Sequence, residues 1–269
     1  MFGAILGDMI GAPYEFDMGD KTKDFELFDN GKRVRYTDDS VMTLAIAKAV
    51  MTVGVDADES TMKQAFISLM RDMGNSYAQS EYGGRFSVWL HSDDPQPYGS
   101  WGNGSAMRVS SLGWFFDTME RTREVARWSA EVTHNHAEGI KGAEAVASVI
   151  YLLRNGADKE AVKKYICDEF DYDLSRTCDE IRPMYRHVES CQETVPEAIT
   201  AFLEGNGFED VIRTAVSLGG DCDTLTCIAG SMAEAFYIVP EEMKRECEKR
   251  LPVELLGILQ DFCKWTGNV

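Results

Sequence analysis

The acidic residues of two short segments, TDDS at 37–40 and GGDCDT at 219–224, are the part of this sequence best suited to chemistry. Each segment combines two carboxylates with a threonine hydroxyl and precedes a long apolar run. One acid at a helix start is ordinary, because carboxylates suit the exposed N–H groups and the positive end of the helix dipole. Oxygen donors without histidine or cysteine are the ligands that Mg²⁺ and Mn²⁺ prefer. The segments therefore indicate either two capped helix starts or a site for hard divalent cations.

The two segments together predict a dinuclear metal site. Two helix N-termini brought together would direct their acids to one point, where the negative charges would repel strongly without cations. Glu15 adds another acid, because it follows the G-x-P break in GDMIGAPYEF, where the chain must leave its first helix. Two divalent cations would nearly balance five such carboxylates. The five acids are Glu15, Asp38, Asp39, Asp221 and Asp223.

Helical periodicity recurs along most of the chain and predicts an all-α fold. Strand signals are nearly absent, and the best strand candidate is the short KRVRYT at 32–37. We expect one compact domain over residues 1–269 with about ten to thirteen helices, counted from the periodic segments, and Pro196 is expected at a helix start. The periodic segments are 40–51, 60–73, 121–132, 137–156, 160–170, 195–205, 208–218 and 223–237.

A long irregular segment, SEYGGRFSVWLHSDDPQPYGSWGNGS at 80–105, is rich in glycine, serine and aromatic residues. A loop of that length in a helical domain is more often a binding element than a domain boundary. Tyr98 and Trp101 are candidates for stacking on a base or for packing in the core. Asp93 and Asp94 precede a proline, which is typical of a turn.

Composition and charge narrow the function classes. A net charge of −18 repels polyanions, so a nucleic-acid groove is not expected. No stretch approaches the ~20 apolar residues that span a bilayer. The seven cysteines form no C-x-x-C pair, and the N-terminus does not resemble a signal peptide. We therefore expect a cytoplasmic protein, and a monomer because no heptad seam is present.

Two further motifs have both a binding and a structural interpretation. GNGSAMR at 102–108 would place backbone N–H groups before a helix, where they could hold a diphosphate, or it is a helix entry turn; Arg108 could equally form a structural ion pair. THNH at 133–136 lacks the further ligands that zinc needs, so its histidines favour capping or packing. Cys222 lies between two acids and is interpreted as a small filler.

Five segments in this order resemble the ADP-ribosylglycohydrolase family. Residues 155–200 and those after 240 add nothing to the resemblance, and Ile238 replaces a glycine common after the last segment. The segments are GAILGDMIGAPYEF at 3–16, YTDDSVMTLAIA at 36–47, GNGSAMRVSSLGWFF at 102–116, THNHAEGIKGAEAVA at 133–147 and SLGGDCDTLTCIAGSMAEAFY at 217–237.

The resemblance implies an orthogonal multi-helix fold and a role for each matching position. Glu15 would be a ligand or a general acid/base, and Asp8 is interpreted as a helix cap or packing contact. The implied metal ligands are Thr37, Asp38, Asp39, Asp221, Asp223 and Thr224. The implied ADP-ribose contacts are Asn103, Gly104, Ser105, Met107 and His134. Some bacterial members use an aspartate from about the region of Asp93 and Asp94, and the sequence does not choose between these two.

The function implied is hydrolysis of the bond between C1″ of ADP-ribose and an acceptor, with two Mg²⁺ or Mn²⁺ ions. The partner would be an ADP-ribosylated protein or an ADP-ribose-containing small molecule. An acidic acceptor loop slightly favours arginine. The alternatives are a non-catalytic ADP-ribose-binding or structural relative, and a metal-dependent phosphohydrolase.

Overall fold

The computed structural model describes residues 1–17, 20–29, 34–77 and 81–267, and these form helices and connecting segments without a β-strand. The all-α prediction is confirmed. A 3₁₀ segment, Ala12–Asp17, follows the first helix. In chain order the α-helices of the described residues are α1 (Phe2–Gly11), α2 (Asp38–Val53), α3 (Glu59–Ser76), α4 (Gly84–His91), α5 (Gly104–Met107), α6 (Leu112–Phe115), α7 (Met119–Glu131), α8 (Ala137–Arg154), α9 (Lys159–Phe170), α10 (Cys178–Ile181), α11 (Cys191–Glu204), α12 (Phe208–Leu218), α13 (Cys222–Phe236), α14 (Glu241–Arg250) and α15 (Val253–Thr266).

Each of the periodic segments lies on a helix, and the extra helices are short. The count exceeds the ten to thirteen expected because α5, α6 and α10 have four residues each. One turn is too short to show a 3.6-residue period. The helices enclose one apolar core, in which α2 and α13 are buried along most of their length. The domain limits 1–269 stay a prediction.

Glycines bring α1 unusually close to α13. Gly3, Gly7 and Gly11 are spaced four residues apart and lie on one helix face. A Cβ added at Gly7 would lie 2.1 Å from the carbonyl oxygen of Thr226, and one at Gly11 would lie 2.5 Å from that of Cys222. Only glycine allows the two backbones to touch in this way. The contact places the end of α1 beside the start of α13.

The start of α11 differs from the sequence prediction. Pro196 lies inside this helix, which begins five residues earlier at Cys191. An antiparallel bridge joins Gly102 to Ser190 just before the helix, and the backbone N–H of Cys191 donates to the Trp101 carbonyl at 3.0 Å. This long-range pairing, which no local pattern reveals, determines where α11 starts.

Two other local predictions are corrected. No strand is present over residues 34–37, and the remaining residues of KRVRYT lie outside the described ranges. The described part of 80–105 contains α4, so its irregular portions are residues 81–83 and about 92–103. Glycines 83 and 84 at the start of α4 hide its helical signal.

The seven cysteines are free thiols. Within the described residues, none of the helices combines the length and apolar character that crossing a membrane requires.

Candidate functional site

The N-termini of α2 and α13 meet at one pocket, as the sequence predicted. Thr37 caps α2, and Asp221 is the N-cap position of α13. The Thr224 hydroxyl donates to Asp39 Oδ2 at 3.2 Å, although these residues are 185 positions apart. This hydrogen bond joins the two acidic segments directly. The central pocket, as we call it, has a volume of about 430 Å³, and Glu15, Asp38, Asp39, Asp221, Asp223 and Thr224 line it.

Asp8 organises the start of α2. Its carboxylate accepts hydrogen bonds from the backbone N–H and hydroxyl of Thr37, at 2.9 and 2.7 Å, and from the backbone N–H and hydroxyl of Ser40. The interpretation of Asp8 as a helix cap therefore fits the structure. Asp8 lies on α1, but the helix start that it caps is that of α2. The Thr37 hydroxyl donates to Asp8 and accepts from the backbone N–H of Asp39, so one lone pair remains for a cation. Thr37 does not line the central pocket.

Two overlapping groups of carboxylates fit metal ions. In the first group, carboxylate oxygens of Asp8, Asp39 and Asp223 lie within 4.8 Å of one another. In the second group, carboxylate oxygens of Glu15, Asp221 and Asp223 lie within the same distance of one another. Asp223 belongs to both groups and would bridge two cations. Buried Asp39 Oδ1 has no hydrogen-bond partner among the described residues. A buried carboxylate oxygen left unpartnered is costly, and a bound cation would satisfy it. The residues present therefore fit a hard-metal centre.

The acids of this cluster have raised pKa values. Burial raises the pKa of Asp39 and Asp223 well above the ordinary value, and the charges of neighbouring aspartates add to the shift. Burial, followed by the charge of Asp223, raises the pKa of Glu15 to about 8. The pKa of Asp221 rises to about 6 through burial, and the hydrogen bond from Asn103 opposes that shift. We call this cluster the acid end of the pocket.

Another part of the pocket lining carries neutral and cationic groups, and we call it the donor end. Asn103, Gly104, Met107 and His134, the ADP-ribose contacts implied by the resemblance, are among its lining residues. The amide of Asn103 donates to Asp221 Oδ2 at 2.6 Å, so this residue connects the two ends. Since α5 is one turn long, its helix dipole contributes little to anion binding, in contrast to the expectation for GNGSAMR.

Two other residues of the GNGSAMR segment occupy places that the sequence did not indicate. Ser105 does not line the pocket, and its buried hydroxyl donates to the Gly139 carbonyl at 2.7 Å. A direct contact of its side chain with a substrate is therefore not supported. Arg108 lines the pocket but makes its described hydrogen bonds to the Ser129 carbonyl and the Thr133 hydroxyl, not to a carboxylate. The structural ion pair considered for Arg108 is absent from the described residues.

Of the remaining candidates from the sequence, the structure places some in the central pocket and others outside it. Asp93 and Asp94 are exposed and do not line the central pocket. Tyr98 lines it, with its ring 5.6 Å from that of His134, whereas Trp101 does not. His136 caps α8. Cys222 is fully buried, which raises the pKa of its thiol and agrees with a filler role.

The mouth of the pocket contains residues that the sequence did not single out. Phe16 is 61% exposed and has a left-handed backbone (φ 56°), and its ring lies against that of His187 with centroids 4.7 Å apart and planes tilted by 35°. His187 Nε2 lies 3.2 Å from a carboxylate oxygen of the exposed Glu189. Glu81, also exposed, forms an ion pair with Arg35 at 2.7 Å. No local motif marks these positions, because they meet only in the folded chain.

The family model for ADP-ribosylglycohydrolase matches residues 1–265. The chain belongs to this family. The match extends well past the segments that carried the resemblance. This ADP-ribosylglycohydrolase is therefore a hydrolase, and its family is generally metal-dependent.

Relatives with assigned names are similar over most of the chain. ADP-ribosylhydrolase ARH3 of Bos taurus is 27% identical over 91% of this chain and 87% of its own length. The human ARH3 is 25% identical, over 95% and 90% of the two chains. ADP-ribosylarginine hydrolase Tri1 of Pseudomonas putida (strain GB-1) is 26% identical over 88% of this chain and 69% of its own.

A solved structure titled "ADP-ribosylglycohydrolase-related protein complex" has the same fold. Its TM-score is 0.71 at 21% identity, over 98% of this chain and 97% of the other. The fold class predicted from sequence is confirmed by this likeness.

Proposed function

We propose that this ADP-ribosylglycohydrolase hydrolyses the glycosidic bond between C1″ of ADP-ribose and an acceptor, with arginine side chains of proteins as the preferred acceptors. The observation that carries the proposal is the hydrogen bond between Thr224 and Asp39, which unites two acidic helix starts in one pocket. Beside it, Asp39 Oδ1 is buried without a described partner. An oxygen-only cluster of this kind suits two Mg²⁺ or Mn²⁺ ions.

The cations would be held by residues of both helix starts. When bound, they supply positive charge that orients the ribose hydroxyls and activates a water molecule. Asp223, which belongs to both groups of carboxylates, would contribute to holding both cations. Asn103 donates a hydrogen bond of 2.6 Å to Asp221 and so would orient this carboxylate without touching the metal itself. The proposed ligands are Thr37, Asp38, Asp39, Asp221, Asp223 and Thr224.

Glu15 is the proposed general acid and base. Burial, the largest cause of its raised pKa, favours the protonated form of the carboxyl group. That proton passes to the acceptor nitrogen as its bond to C1″ breaks, and the resulting carboxylate then takes a proton from the water that attacks C1″. The negative charge around it favours the oxocarbenium-like sugar of the transition state.

The donor end would bind the remainder of ADP-ribose. Gly104 carries no side chain between the pocket and the His134 ring, since a Cβ there would lie 3.2 Å from Nε2. Met107 supplies an apolar wall and is 6% exposed. Ser105 stabilises the loop from behind rather than touching the ligand.

The pocket mouth supports an arginine acceptor. Glu189 places negative charge there, and the ring of Phe16 offers an exposed face. A guanidinium group is attracted by carboxylates and stacks on aromatic faces. The name of the Tri1 relative, an ADP-ribosylarginine hydrolase, agrees with this choice of acceptor.

The test is release of free ADP-ribose from arginine- and serine-ADP-ribosylated peptides, followed by mass spectrometry with Mg²⁺, with Mn²⁺ and with EDTA. We expect metal-dependent release that is faster from the arginine peptide. Asp261→Asn is a matched control, because Asp261 is an exposed acid that pairs with Lys264 on α15.

The products distinguish the proposal from its rivals. Release of phosphate or AMP instead of intact ADP-ribose would indicate a phosphohydrolase. Tight ADP-ribose binding without turnover of either peptide would indicate a binding protein. Faster release of ADP-ribose from the serine-linked peptide would contradict arginine as the preferred acceptor, but it would still agree with a hydrolase.

A further inference from the structure

Arg108 is a buried cation at the donor end, and no acid among the described residues pairs with it. Its side chain is 1% exposed, and its guanidinium donates to the Ser129 carbonyl at 2.6 Å and the Thr133 hydroxyl at 2.8 Å. Its Nε has no partner among the described residues. Burial lowers the pKa of Arg108 to about 10, which still leaves it charged at neutral pH. Buried charges are normally paired. A buried charge that lines a pocket without an opposite charge beside it therefore indicates a functional role.

The hydroxyl of Thr133 connects Arg108 to His134 through two hydrogen bonds. Arginine can only donate, so Thr133 Oγ1 accepts from it. The same oxygen lies 2.7 Å from His134 Nδ1. The hydroxyl hydrogen has no other acceptor among the described contacts of this buried side chain, and leaving it unpaired in the interior would be unfavourable. The hydroxyl therefore donates to Nδ1, and the imidazole proton must be on Nε2.

The Nε2 atom lies beside the glycine-lined wall of the pocket. An added Cβ would be 3.2 Å from it at Gly104 and 3.4 Å from it at Gly102. The pKa of His134 is well below its ordinary value because of burial and the charges of Arg108 and Arg85. Tyr98, whose ring faces the imidazole, has a pKa of about 12 and carries no charge. His134 thus stays neutral, with one N–H available to a ligand.

We propose that Arg108 and Thr133 are positioning residues, which fix His134 as an Nε2–H donor to an anionic oxygen of the substrate diphosphate. The proposal rests on the proposed function for the identity of the ligand. A donor whose tautomer is fixed before binding loses no free energy in rearranging when the anion arrives. The positive charge of Arg108 adds favourable potential in a protein whose net charge is −18.

The test compares wild type with Thr133→Val and Thr133→Ser. In the ligand-free protein labelled with ¹⁵N-histidine, the ring nitrogens report the tautomer, and a His134→Gln spectrum assigns the signals among the four histidines. We expect a pyridine-like Nδ1 and a pyrrole-like Nε2 in wild type and in Thr133→Ser. Thr133→Val, which keeps the side-chain shape but lacks the hydroxyl, should show a mixture. A protonated Nδ1 in wild type would overturn the proposal.

Affinity provides the second readout. Calorimetry should show ADP-ribose binding about 5- to 10-fold weaker in Thr133→Val, the loss of roughly one hydrogen bond, and Thr133→Ser should restore it. In turnover, KM should rise in Thr133→Val while kcat changes little, and thermal melting checks the fold. Equal ADP-ribose affinity in wild type and Thr133→Val would overturn the proposal. If ADP-ribose binds as expected but no peptide is hydrolysed, the proposed function fails and this inference stands.

Discussion

The two ends of the central pocket are stabilised by opposite electrostatic means. At the acid end, the carboxylates of Asp39 and Asp223 are buried together and their pKa values are raised. At the donor end, Arg108 is buried with no acid partner among the described residues, and the pKa of His134 is well below its ordinary value because of burial. The acid end thus concentrates negative charge, whereas the donor end contains a cation of its own. The difference teaches that one pocket can accept cations and an anionic substrate side by side.

The largest effect is expected from Asp223→Asn, which removes the carboxylate shared by both metal groups. Loss of residues that only support metal ligands typically costs about 10- to 100-fold in affinity or activity. Loss of a ligand that both groups share should lower kcat/KM by more than roughly 100-fold. The peptide assay measures it, with Asp261→Asn as control. ADP-ribose release near the wild-type rate would contradict the assignment of the acid end.

Gly7→Ala should disturb the acid end by separating α1 from α13. The added Cβ would lie 2.1 Å from the Thr226 carbonyl oxygen, so the helices must move apart. We expect a loss of about 1–3 kcal/mol in the free energy of unfolding, with lower activity because Glu15 follows α1. Urea unfolding measures it. Gly257→Ala is the matched control, since nothing lies within 4 Å of a Cβ there; equal stability of the two variants would contradict close helix contact.

The acid end should also make stability depend on pH when metal is absent. Folded carboxyls with raised pKa values bind protons that the unfolded chain has released, so their contribution is complete below the ordinary pKa values near 4. It falls as pH rises through the folded values, which reach about 8 for Glu15. We therefore expect Tm in EDTA to decrease between about pH 4 and 8, an interval defined by these pKa values.

Two additions sharpen this pH experiment. Mg²⁺ should flatten the decrease, because cations stabilise the charged carboxylates, and Asp223→Asn should flatten it without metal. The slope of Tm against pH could also be the same in wild type with EDTA, in wild type with Mg²⁺ and in Asp223→Asn. That result would show that the acid end does not cause the decrease in Tm.

The smallest effect is expected at the mouth, from Glu189→Gln. This side chain is 71% exposed, so solvent screens its charge. We expect KM for the arginine-linked peptide to rise by no more than about fivefold, with little change for the serine-linked peptide. Steady-state kinetics on both peptides measures the difference. An equal rise for both would contradict a role in attracting a guanidinium group.

Local patterns predicted the helices and the acidic helix starts well. The periodic segments all lie on helices, because burial of one helix face imposes its period on the sequence. TDDS and GGDCDT lie where α2 and α13 begin, because capping depends on neighbouring residues. The four-residue spacing of Gly3, Gly7 and Gly11 was also readable as a face for close helix packing, although it does not identify α13 as the partner.

Other features depended on contacts between distant segments. Pro196 does not begin α11, because the bridge between Gly102 and Ser190 places that start earlier. Ser105 turns its hydroxyl to the Gly139 carbonyl rather than to the pocket. Glu189 reaches the mouth from a part of the chain without any motif.

The sequence by itself thus determined the helical fold, the supply of oxygen ligands and the family, because these follow from composition and short-range spacing. Only the tertiary structure decided that Asp223 is common to both metal groups, that Asp8 caps α2 and that Arg108 has no described acid partner. The physical reason is that pKa values, unpartnered atoms and shared ligands depend on distances of a few ångströms between residues far apart in the chain. Packing alone sets those distances.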